Sequence, residues 1–397
     1  MTQAPTMPLH MRRDRFAPVD ELRELREGDG VRRFETPFGA NVWIATRYAD
    51  VREVLGDADR FSNRMAFRPP TDPRSEEERE KARAGQLLAL DPPEHTRLRR
   101  LLRPEFTVRR MQRLEPRIVE IVDEHLDAMA AAGSPADLVP TFALPIPSLV
   151  ICELLGVPYA DRADFQQRTA RQLDMSIPMD ERMELGRAGR AYMESLVARA
   201  KRDPGEDMLG MLVREHGEEL TDDELAGIGN LLLIAGHETT SNMLGLGTLA
   251  LLQHPEQLAL VRDDPAVVAP AVEELLRWLT IVHSGVVRTA TVDVELAGHT
   301  IPAGDLVVCS LPTANRDPAL LRDPETLDVT RGAAGHVAFG HGVHHCLGAP
   351  LARMEMRIAF PALLRRFPGL ALDVPFADVP FRAFHFIYGL QALPVRW

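Results

Sequence analysis

One cysteine, Cys346, lies in a ten-residue segment that constrains this chain more than any other part of its sequence. The segment reads Phe-Gly-His-Gly-Val-His-His-Cys-Leu-Gly, and the apolar stretch directly after it predicts a helix from Ala349 to Phe360. Gly340 and Gly342 permit a tight turn and a close approach of the backbone to a neighbour. Backbone N–H groups at the start of the predicted helix can point at the sulfur and stabilise its negative charge. The pattern therefore favours a thiolate that binds a metal.

Two other interpretations of this cysteine stay open. A free cysteine is most often a small hydrophobic core residue, and Cys152 and Cys309, which lie in apolar stretches, are expected to be of that kind. Zinc is the second alternative, since four potential ligands lie close together in the sequence: His341, His344, His345 and Cys346. A zinc site would not require the two glycines or the phenylalanine of the segment.

The ten residues resemble the haem-binding loop of the cytochrome P450 monooxygenases, Phe-Gly-x-Gly-x-His/Arg-x-Cys-x-Gly, at every fixed position. The resemblance implies that Cys346 is the axial ligand of the iron of haem b. A thiolate in that position pushes electron density onto the iron and favours cleavage of the O–O bond. The resemblance also implies haem contacts from other residues of this loop: Phe339, Gly340, His344 and Gly348.

A second motif lies in a long apolar stretch that predicts one helix from Asp222 to His254. Thr221 and Glu224 have the spacing of a capping box at its start. Gly236 interrupts the helix, which costs ~1 kcal/mol relative to alanine. We expect Gly236, with Ala235, to let a flat ligand approach the helix backbone.

The sequence Ala-Gly-His-Glu-Thr-Thr, residues 235–240, resembles the oxygen-activation motif of the same family, Ala/Gly-Gly-x-Asp/Glu-Thr. The resemblance implies that Thr239 hydrogen-bonds the oxygen during its activation and that Glu238 feeds protons to it. A packing role for the glycine and the threonines is the alternative. A zinc protease motif is excluded, because it needs a second histidine at the position of Ser241.

Haem carries two carboxylates, and four basic residues match the family's donors to them. His95 and Arg99 are four residues apart, so they share one face of a predicted helix. The resemblance gives Arg288 and His344 the same role, and arginine binds carboxylates through its planar fork. A surface position is the alternative for each of them.

Glu274 and Arg277 can pair on one helix face, where an exposed ion pair would contribute little to stability. In the family this Glu-x-x-Arg pair is buried and joined by a downstream arginine, and Arg331 stands at that place. Buried charges need partners. The resemblance therefore implies that these three residues support the haem pocket structurally.

A substrate pocket of apolar residues is expected from the segments that surround the haem in this fold: Leu87, Leu88, Leu232, Val282, Val286 and Phe386. Such a pocket suits a hydrophobic small molecule. Polar anchors are available from Arg168, Arg171, Gln172 and His283. A place in the core or at the surface is the alternative for each of these residues.

Composition limits the compartment and the partners. A net charge of −12 argues against nucleic acid and anionic membrane as partners. The odd number of cysteines, three, and the absence of a C-x-x-C pair argue against a disulfide framework and favour the cytoplasm. The N-terminus has no apolar signal segment, and no apolar stretch reaches the ~20 residues of a membrane-spanning helix. We expect a soluble, monomeric protein.

The periodicity predicts a mainly α protein with a minor β part, of the α+β class. Helices are predicted at Ala49–Leu55, His95–Arg103, Val108–Ala132, Pro147–Leu155, Asp161–Leu173, Asp180–Arg202, Met208–Glu215 and Ala266–Leu279. The β-rich parts are residues 30–70, 286–311 and the C-terminus, with a hairpin turn at Pro37-Phe38-Gly39, and residues 68–80 form a loop or weak helix. The helical parts are residues 93–280 and 349–367. The resemblance implies one domain, residues 1–397, with haem between the long helix and the helix after Cys346.

The resemblance implies a monooxygenase that hydroxylates a polyketide, terpenoid, steroid or xenobiotic with O₂. Its electrons would come from NAD(P)H through a ferredoxin reductase and a ferredoxin. A basic cluster favours docking of such an acidic partner, a solvated basic face being the alternative: Arg97, Arg100, Arg103, Arg109, Arg110 and Arg113. The other functional hypotheses are peroxide-driven or oxidative coupling chemistry on the same fold, and a haem-binding carrier or sensor without turnover.

Overall fold

The fold is described from a computed structural model for residues 7–35, 41–64 and 75–397. The expected turn at Pro37-Phe38-Gly39 and most of the expected loop at residues 68–80 lie outside the described residues. Within them, no helix is both long enough and apolar enough to cross a membrane.

Helices make up most of the described structure. They are α1 (Asp20–Glu27), α2 (Tyr48–Gly56), α3 (Glu76–Arg83), α4 (Glu94–Leu102), α5 (Val108–Ala132), α6 (Pro145–Leu155), α7 (Arg162–Leu173), α8 (Met179–Arg202), α9 (Met208–His216), α10 (Asp222–Gln253), α11 (Pro255–Asp263), α12 (Pro265–Leu279), α13 (Leu311–Ala314) and α14 (Ala349–Arg366). A π-helical turn, Val139–Ala143, leads into α6.

The strands are short. They are β1 (Arg13–Asp14), β2 (Ala17–Pro18), β3 (Val31–Glu35), β4 (Asn41–Ala45), β5 (Phe61–Ser62), β6 (Ala136–Asp137), β7 (Val287–Ala290), β8 (Val294–Leu296), β9 (His299–Ile301), β10 (Leu306–Cys309), β11 (Ala371–Leu372), β12 (Phe381–Arg382), β13 (Gly389–Leu390) and β14 (Pro394–Arg396). The largest sheet has the order β3-β4-β10-β7-β5, in which only the β4–β10 pair is parallel. A mainly helical fold with a minor sheet is therefore confirmed.

The long helix α10 is the centre of the helical part. Thr221 and Glu224 form the expected capping box: the Thr221 hydroxyl accepts from the Glu224 N–H at 3.2 Å, and the Glu224 carboxylate accepts from the Thr221 N–H at 2.9 Å. The helix packs against α6, α8 and α14. Most of its faces are buried, which explains why its sequence is apolar almost all round.

A buried ion pair ties α12 to the chain that follows the large sheet. Arg277 donates two hydrogen bonds of 2.8 Å to Glu274, and both side chains are completely buried. Arg277 also donates to the carbonyl oxygens of Asn315 and Pro324, at 2.9 and 2.7 Å. Arg331 lies 3.9 Å from the Glu274 carboxylate, so the structure brings the three residues of the expected cluster together.

Candidate active site

The loop before Cys346 is bent by two glycines with positive φ. Gly340 and Gly342 both have φ of 72°, a conformation that favours glycine. A Cβ on Gly342 would lie 2.5 Å from the carbonyl oxygen of Leu55 in α2, so the loop can pack on that helix only with glycine there. The Cys346 N–H donates to the Phe339 carbonyl at 2.9 Å and closes the loop.

The sulfur of Cys346 sits at the start of α14 with backbone donors aimed at it. Burial raises the pKa of the Cys346 thiol, while N–H groups of Gly348 and Ala349 and the charges of Arg99 and Arg353 lower it. The side chain is nevertheless accessible to solvent. A group that is accessible and yet strongly desolvated lies on the wall of an internal cleft. A metal cation bound at this sulfur would favour the thiolate.

The ring of Phe339 packs against an ionic network that no sequence motif indicated. The guanidinium of Arg353 lies 4.6 Å over the Phe339 ring and donates to Glu273 at 2.7 and 2.8 Å. His336 also bonds Glu273, at 3.2 Å. Burial raises the pKa of Glu273, but the bonds to His336 and Arg353 outweigh it and lower the pKa to about 2. The sequence gives one signal for this network: Glu273 directly precedes Glu274 of the Glu-x-x-Arg pair.

The middle of α10 has one face that is open. Ala235 is exposed although its neighbours along the helix are largely buried. Thr239 donates from its hydroxyl to the Ala235 carbonyl at 2.8 Å, four residues back. The two residues therefore share one open face of a helix that is otherwise enclosed by protein.

Gly236 lies on a different face of α10 from the one expected. A Cβ at this position would lie 2.7 Å from Cδ1 and Cγ1 of Ile151 in α6. The observed reason for the glycine is thus the close packing of two helices. The approach of a flat ligand, which we expected from the sequence, is a role of the open face around Ala235.

Glu238 lies in a buried polar network. Its carboxylate is 3.8 Å from Nε2 of His237, 3.7 Å from the guanidinium of Arg382 and 3.4 Å from the side-chain amide of Asn242. Arg382 also donates to the Asn242 oxygen at 3.1 Å. Sequence reasoning missed Arg382, because it is 140 residues from Asn242 and belongs to no motif.

The four expected carboxylate donors converge near the cysteine loop. The rings of His95 and His344 lie 4.1 Å apart, and burial, followed by the charges of His95 and Arg288, lowers the pKa of His344 to about 3. Arg99 donates to the carbonyl of His345 at 2.6 Å, and Arg288 is buried in β7. Nδ1 of His95 and Nε2 of His344 are buried without a hydrogen-bond partner in the described structure. Buried polar atoms of this kind need a partner, and an anionic ligand held by the two arginines fits that need.

Three of the expected pocket residues lie on adjacent segments. Val282 forms an isolated β-bridge with Ile387. A Cβ on Gly285 would lie 3.4 Å from the ring of Phe386. Val286 follows on the same segment and is half-buried at the edge of the core between the sheet and α2.

The other expected pocket residues have different surroundings. Leu87 belongs to the main core and Leu232 packs at its edge, whereas Leu88 is 62% exposed. His283 donates from Nε2 to the carbonyl of His385 at 2.7 Å, and burial lowers its pKa to about 3. It is therefore a neutral structural residue and does not offer a charged anchor.

The remaining candidate polar anchors, Arg168, Arg171 and Gln172, have different surroundings. The guanidinium of Arg168 lies 5.4 Å from the Tyr192 ring, and Arg171 forms an exposed ion pair with Glu181. Gln172 is half-buried. Across the described ranges, no three His, Cys, Asp or Glu side chains converge to hold a metal ion. The zinc alternative therefore lacks a ligand set there.

Relatives that match the chain from end to end decide its family. Cytochrome P450 FAS1 of Rhodococcoides fascians is 50% identical over 394 residues, which cover 98% of each chain. The chain belongs to the cytochrome P450 family. The family model described as Cytochrome P450 matches residues 192–373, a range that includes the middle of α10 and the Cys346 loop.

Solved structures agree with this assignment. The structure of CYP105P1 in complex with filipin I has a TM-score of 0.91 and 42% identity, covering 100% of this chain and 99% of that one. OxyB from teicoplanin biosynthesis, solved in complex with the X-domain, has a TM-score of 0.86 and 48% identity, covering 99% and 100%. The expected cytochrome P450 fold is confirmed.

The chain is thus an oxidoreductase of the monooxygenase class, and membership implies haem, O₂ and a small-molecule substrate. The residues described above fit that cofactor. They include a sulfur with converging N–H donors, an open face on α10, and buried histidine nitrogens that need an anionic partner.

Proposed function

We propose that this cytochrome P450 hydroxylates a hydrophobic small molecule with O₂. The observation that carries the proposal is the pairing of Cys346, with its helix-start N–H donors, and an intact Glu238–Thr239 pair on α10. When bound, a thiolate-ligated haem supplies the activation of O₂ that inserts one oxygen atom into a C–H bond and releases the other as water.

The residues proposed to bind haem differ in the part of the cofactor that they contact. Cys346 binds the iron, and His95, Arg99, Arg288 and His344 bind the carboxylates of haem b. Phe339 covers the sulfur side, where Arg353 fixes its ring. The remaining contacts are backbone and small side chains at Gly340, Gly348 and Ala235, since Gly236 packs against α6 instead.

Proton movement falls to the two residues on α10. Because the Thr239 hydroxyl donates to the Ala235 carbonyl, its lone pairs are free to accept a hydrogen bond from water in the cleft. Glu238 is buried beside it, and its neighbour Arg382 is 21% exposed, so the network reaches towards solvent. We assign the uptake of protons from outside to Glu238 and their delivery in the cleft to the Thr239 hydroxyl.

The proposed substrate class rests on the apolar side chains of Val282, Val286 and Phe386, which lie on adjacent segments. The relative solved with bound filipin I and the relative from teicoplanin biosynthesis support a product of secondary metabolism as the substrate. Polyketides, terpenoids, steroids and xenobiotics are the classes that such an apolar pocket suits.

The proposed electron route is NAD(P)H, ferredoxin reductase and ferredoxin. Three members of the expected basic cluster have ion pairs within the molecule: Arg97 pairs with Glu224, Arg110 pairs with Glu105 at 3.0 Å, and the exposed Arg100 lies 4.0 Å from Glu219. The exposed members are Arg100, Arg103, Arg109 and Arg113. We assign the docking of the acidic ferredoxin to these four charges. The enzyme would act as a monomer and as one domain in the cytoplasm, where its three free cysteines stay reduced.

Oxidative coupling is the second candidate, and the 48% identity to OxyB favours it specifically. A peroxide-driven enzyme and a carrier or sensor without turnover are further alternatives, and neither of them needs a proton relay. Turnover driven by H₂O₂ and by the reductase system, compared on one substrate panel, separates these possibilities.

The test of the relay uses variants that remove one function each. Glu238→Gln and Thr239→Val are expected to lower product formed per NADPH by about 10- to 100-fold, because each interrupts proton delivery. Thr240→Val removes a neighbouring hydroxyl and is expected to leave coupling near wild type. Equal coupling in all four proteins, or turnover with H₂O₂ alone, would reject the proposed relay.

A further inference from the structure

The helix α12 ends in a conformation that a β-branched residue rarely adopts. Thr280 has φ of 35° and lies in the left-handed region. Its hydroxyl donates to the Arg277 carbonyl at 2.6 Å and accepts from the side chain of Asn315 at 2.8 Å. Such a backbone persists only where several contacts hold it. It turns the chain abruptly from α12 into the segment of residues 281–286.

A residue from the far N-terminus holds the same turn. Arg13, in β1, donates from its two terminal nitrogens to the carbonyl oxygens of Leu279, at 2.7 Å, and of Thr280. These are carbonyls at the C-terminal end of a helix, where a cation is favoured by the helix dipole. The contact spans 266 residues of sequence. Arg13 therefore acts as the cap of α12.

Tyr388 links Arg13 to the segment that follows the turn. The guanidinium lies 4.5 Å over the Tyr388 ring, and the Tyr388 hydroxyl donates to the Arg15 carbonyl at 2.6 Å. Burial raises the pKa of Tyr388 to about 12, so the phenol remains a donor at neutral pH. The Tyr388 N–H donates to the carbonyl of Ile281 at 2.9 Å. The β1–β2 hairpin thus contacts the turn at Thr280 and the chain at Tyr388, which are next to the proposed pocket residues.

The segment held in this way carries the proposed substrate contacts. Val282 pairs with Ile387 through a β-bridge, and His283 donates to His385. The chain then reaches Val286 and enters β7. A shift of the Thr280 turn would therefore move Val282 and Val286.

We propose that Arg13 is a positioning residue that sets which substrates this enzyme accepts, by fixing the segment of residues 281–286 through Thr280 and Tyr388. The proposal rests on the proposed function, because it assigns the pocket wall to this segment. Arg13 itself is outside the pocket and contacts no haem-site residue described above. Its effect is on the positions of Val282 and Val286 in the proposed pocket wall.

The test compares Arg13→Met with the matched control Arg12→Met in the full-length haem-loaded protein. The side chain of Arg12 bonds Met7 and lies 3.9 Å from Glu21, away from α12. Hydrogen–deuterium exchange of the peptide covering residues 279–288 reports the segment directly. Two azoles probe the pocket through the absorption spectrum: phenylimidazole, which is small and stays near the iron, and ketoconazole, which is long.

For Arg13→Met we expect faster exchange in that peptide and a rise of about tenfold in the dissociation constant of ketoconazole, with phenylimidazole nearly unchanged. Arg13→Lys should restore part of the ketoconazole affinity, since it retains a cationic donor. Unchanged hydrogen–deuterium exchange in this peptide, or an equal loss of affinity for both azoles, would overturn the proposed role of Arg13.

If Arg13→Met does not fold, Tyr388→Phe tests the proposal in its place, because this variant removes only the hydroxyl bond to the hairpin. The same selective loss of ketoconazole is expected there, and its absence counts against the proposal. Failure of the proposed function is distinguishable, since wild-type protein would then form no hydroxylated product, whereas azole binding does not depend on turnover. The exchange measurement would still test Arg13 in that case.

Discussion

At the scale of single residues, Glu273 shows how one carboxylate organises the region behind the cysteine loop. It accepts hydrogen bonds from Arg353 and His336, and through Arg353 it fixes the ring of Phe339. Burial alone would raise its pKa, and the bonds lower it to about 2. The ionised form is therefore favoured in the folded protein over the unfolded chain, where the pKa is about 4.3.

This difference predicts a pH-dependent contribution to stability. A carboxylate whose pKa is depressed by folding stabilises the protein above its unfolded pKa, and that contribution is lost as the pH falls towards the folded value. Glu273→Gln should lower the free energy of unfolding at pH 7 by about 1–2 kcal/mol, allowing for partial solvent screening. Urea denaturation should show this difference shrinking between about pH 5 and pH 3.

The control for this prediction is Glu206→Gln, since Glu206 is 98% exposed and its ion pair with Arg214 is long, at 3.8 Å. A deficit of Glu273→Gln that stays constant with pH, or one that Glu206→Gln shares, would contradict the account.

Residues predicted from a motif and residues missed by sequence reasoning differ in a physical way. The N–H donors at the Cys346 sulfur follow from glycines and a helix start within a few residues, so local sequence predicts them. The partners of Glu238 and of Thr280 come from the chain ends, through Arg382 and Arg13. A single sequence has no signal for contacts that distant. The bond from His283 to the His385 carbonyl is another contact between distant parts of the chain, and burial keeps its ring neutral.

At the scale of elements, periodicity located the long helices well. The expected bounds Val108–Ala132 agree with α5 at both ends, and α10 ends one residue before the expected position. Capping residues and following prolines define these ends clearly. The helices α1, α11 and α13 were not predicted, since they are short and their apolar residues complete few turns. Residues 76–83 form a helix, α3, with a Ser75 capping box, which agrees with the helix alternative of the expected loop or weak helix at residues 68–80.

The close contact between α10 and α6 at Gly236 leads to a prediction about stability. In Gly236→Ala the new Cβ would meet Ile151 of α6 at 2.7 Å, and overpacking of this kind costs about 1–3 kcal/mol. Alanine regains about 1 kcal/mol of helix propensity, so thermal unfolding should show a net loss. Ile151→Val in the same protein should recover part of it, since it removes the clashing Cδ1 atom.

The same substitution elsewhere in α10 is the matched control. At Gly245 the new Cβ would find only Leu390, at the ordinary distance of 3.8 Å. Gly245→Ala should therefore stabilise the protein by up to about 1 kcal/mol. If Gly236→Ala were as stable as Gly245→Ala, the packing reason given for Gly236 would be wrong.

At the scale of the whole molecule, buried arginines connect parts of the chain that are far apart in sequence. Arg277 reaches the carbonyls of residues 315 and 324, Arg13 caps α12 from the N-terminal hairpin, and Arg316 donates to Phe16 and Trp278 at 3.1 Å. Each uses several N–H groups on backbone carbonyls, which the planar guanidinium suits and an ammonium does not. The frame built in this way fixes α12, whose Glu273 holds Arg353 against Phe339 of the cysteine loop.

The central claim is that this frame presents Cys346 as a thiolate ligand to haem, and the absorption spectrum tests it most directly. The spectrum of the dithionite-reduced protein with and without CO should show a strongly red-shifted Soret band in wild type. Cys309→Ala should keep that band, because Cys309 is buried in β10 with its pKa raised to about 12. Cys346→Ala should lose it. A band at the ordinary histidine–haem position in wild type, or a red-shifted band that survives Cys346→Ala, would contradict the account.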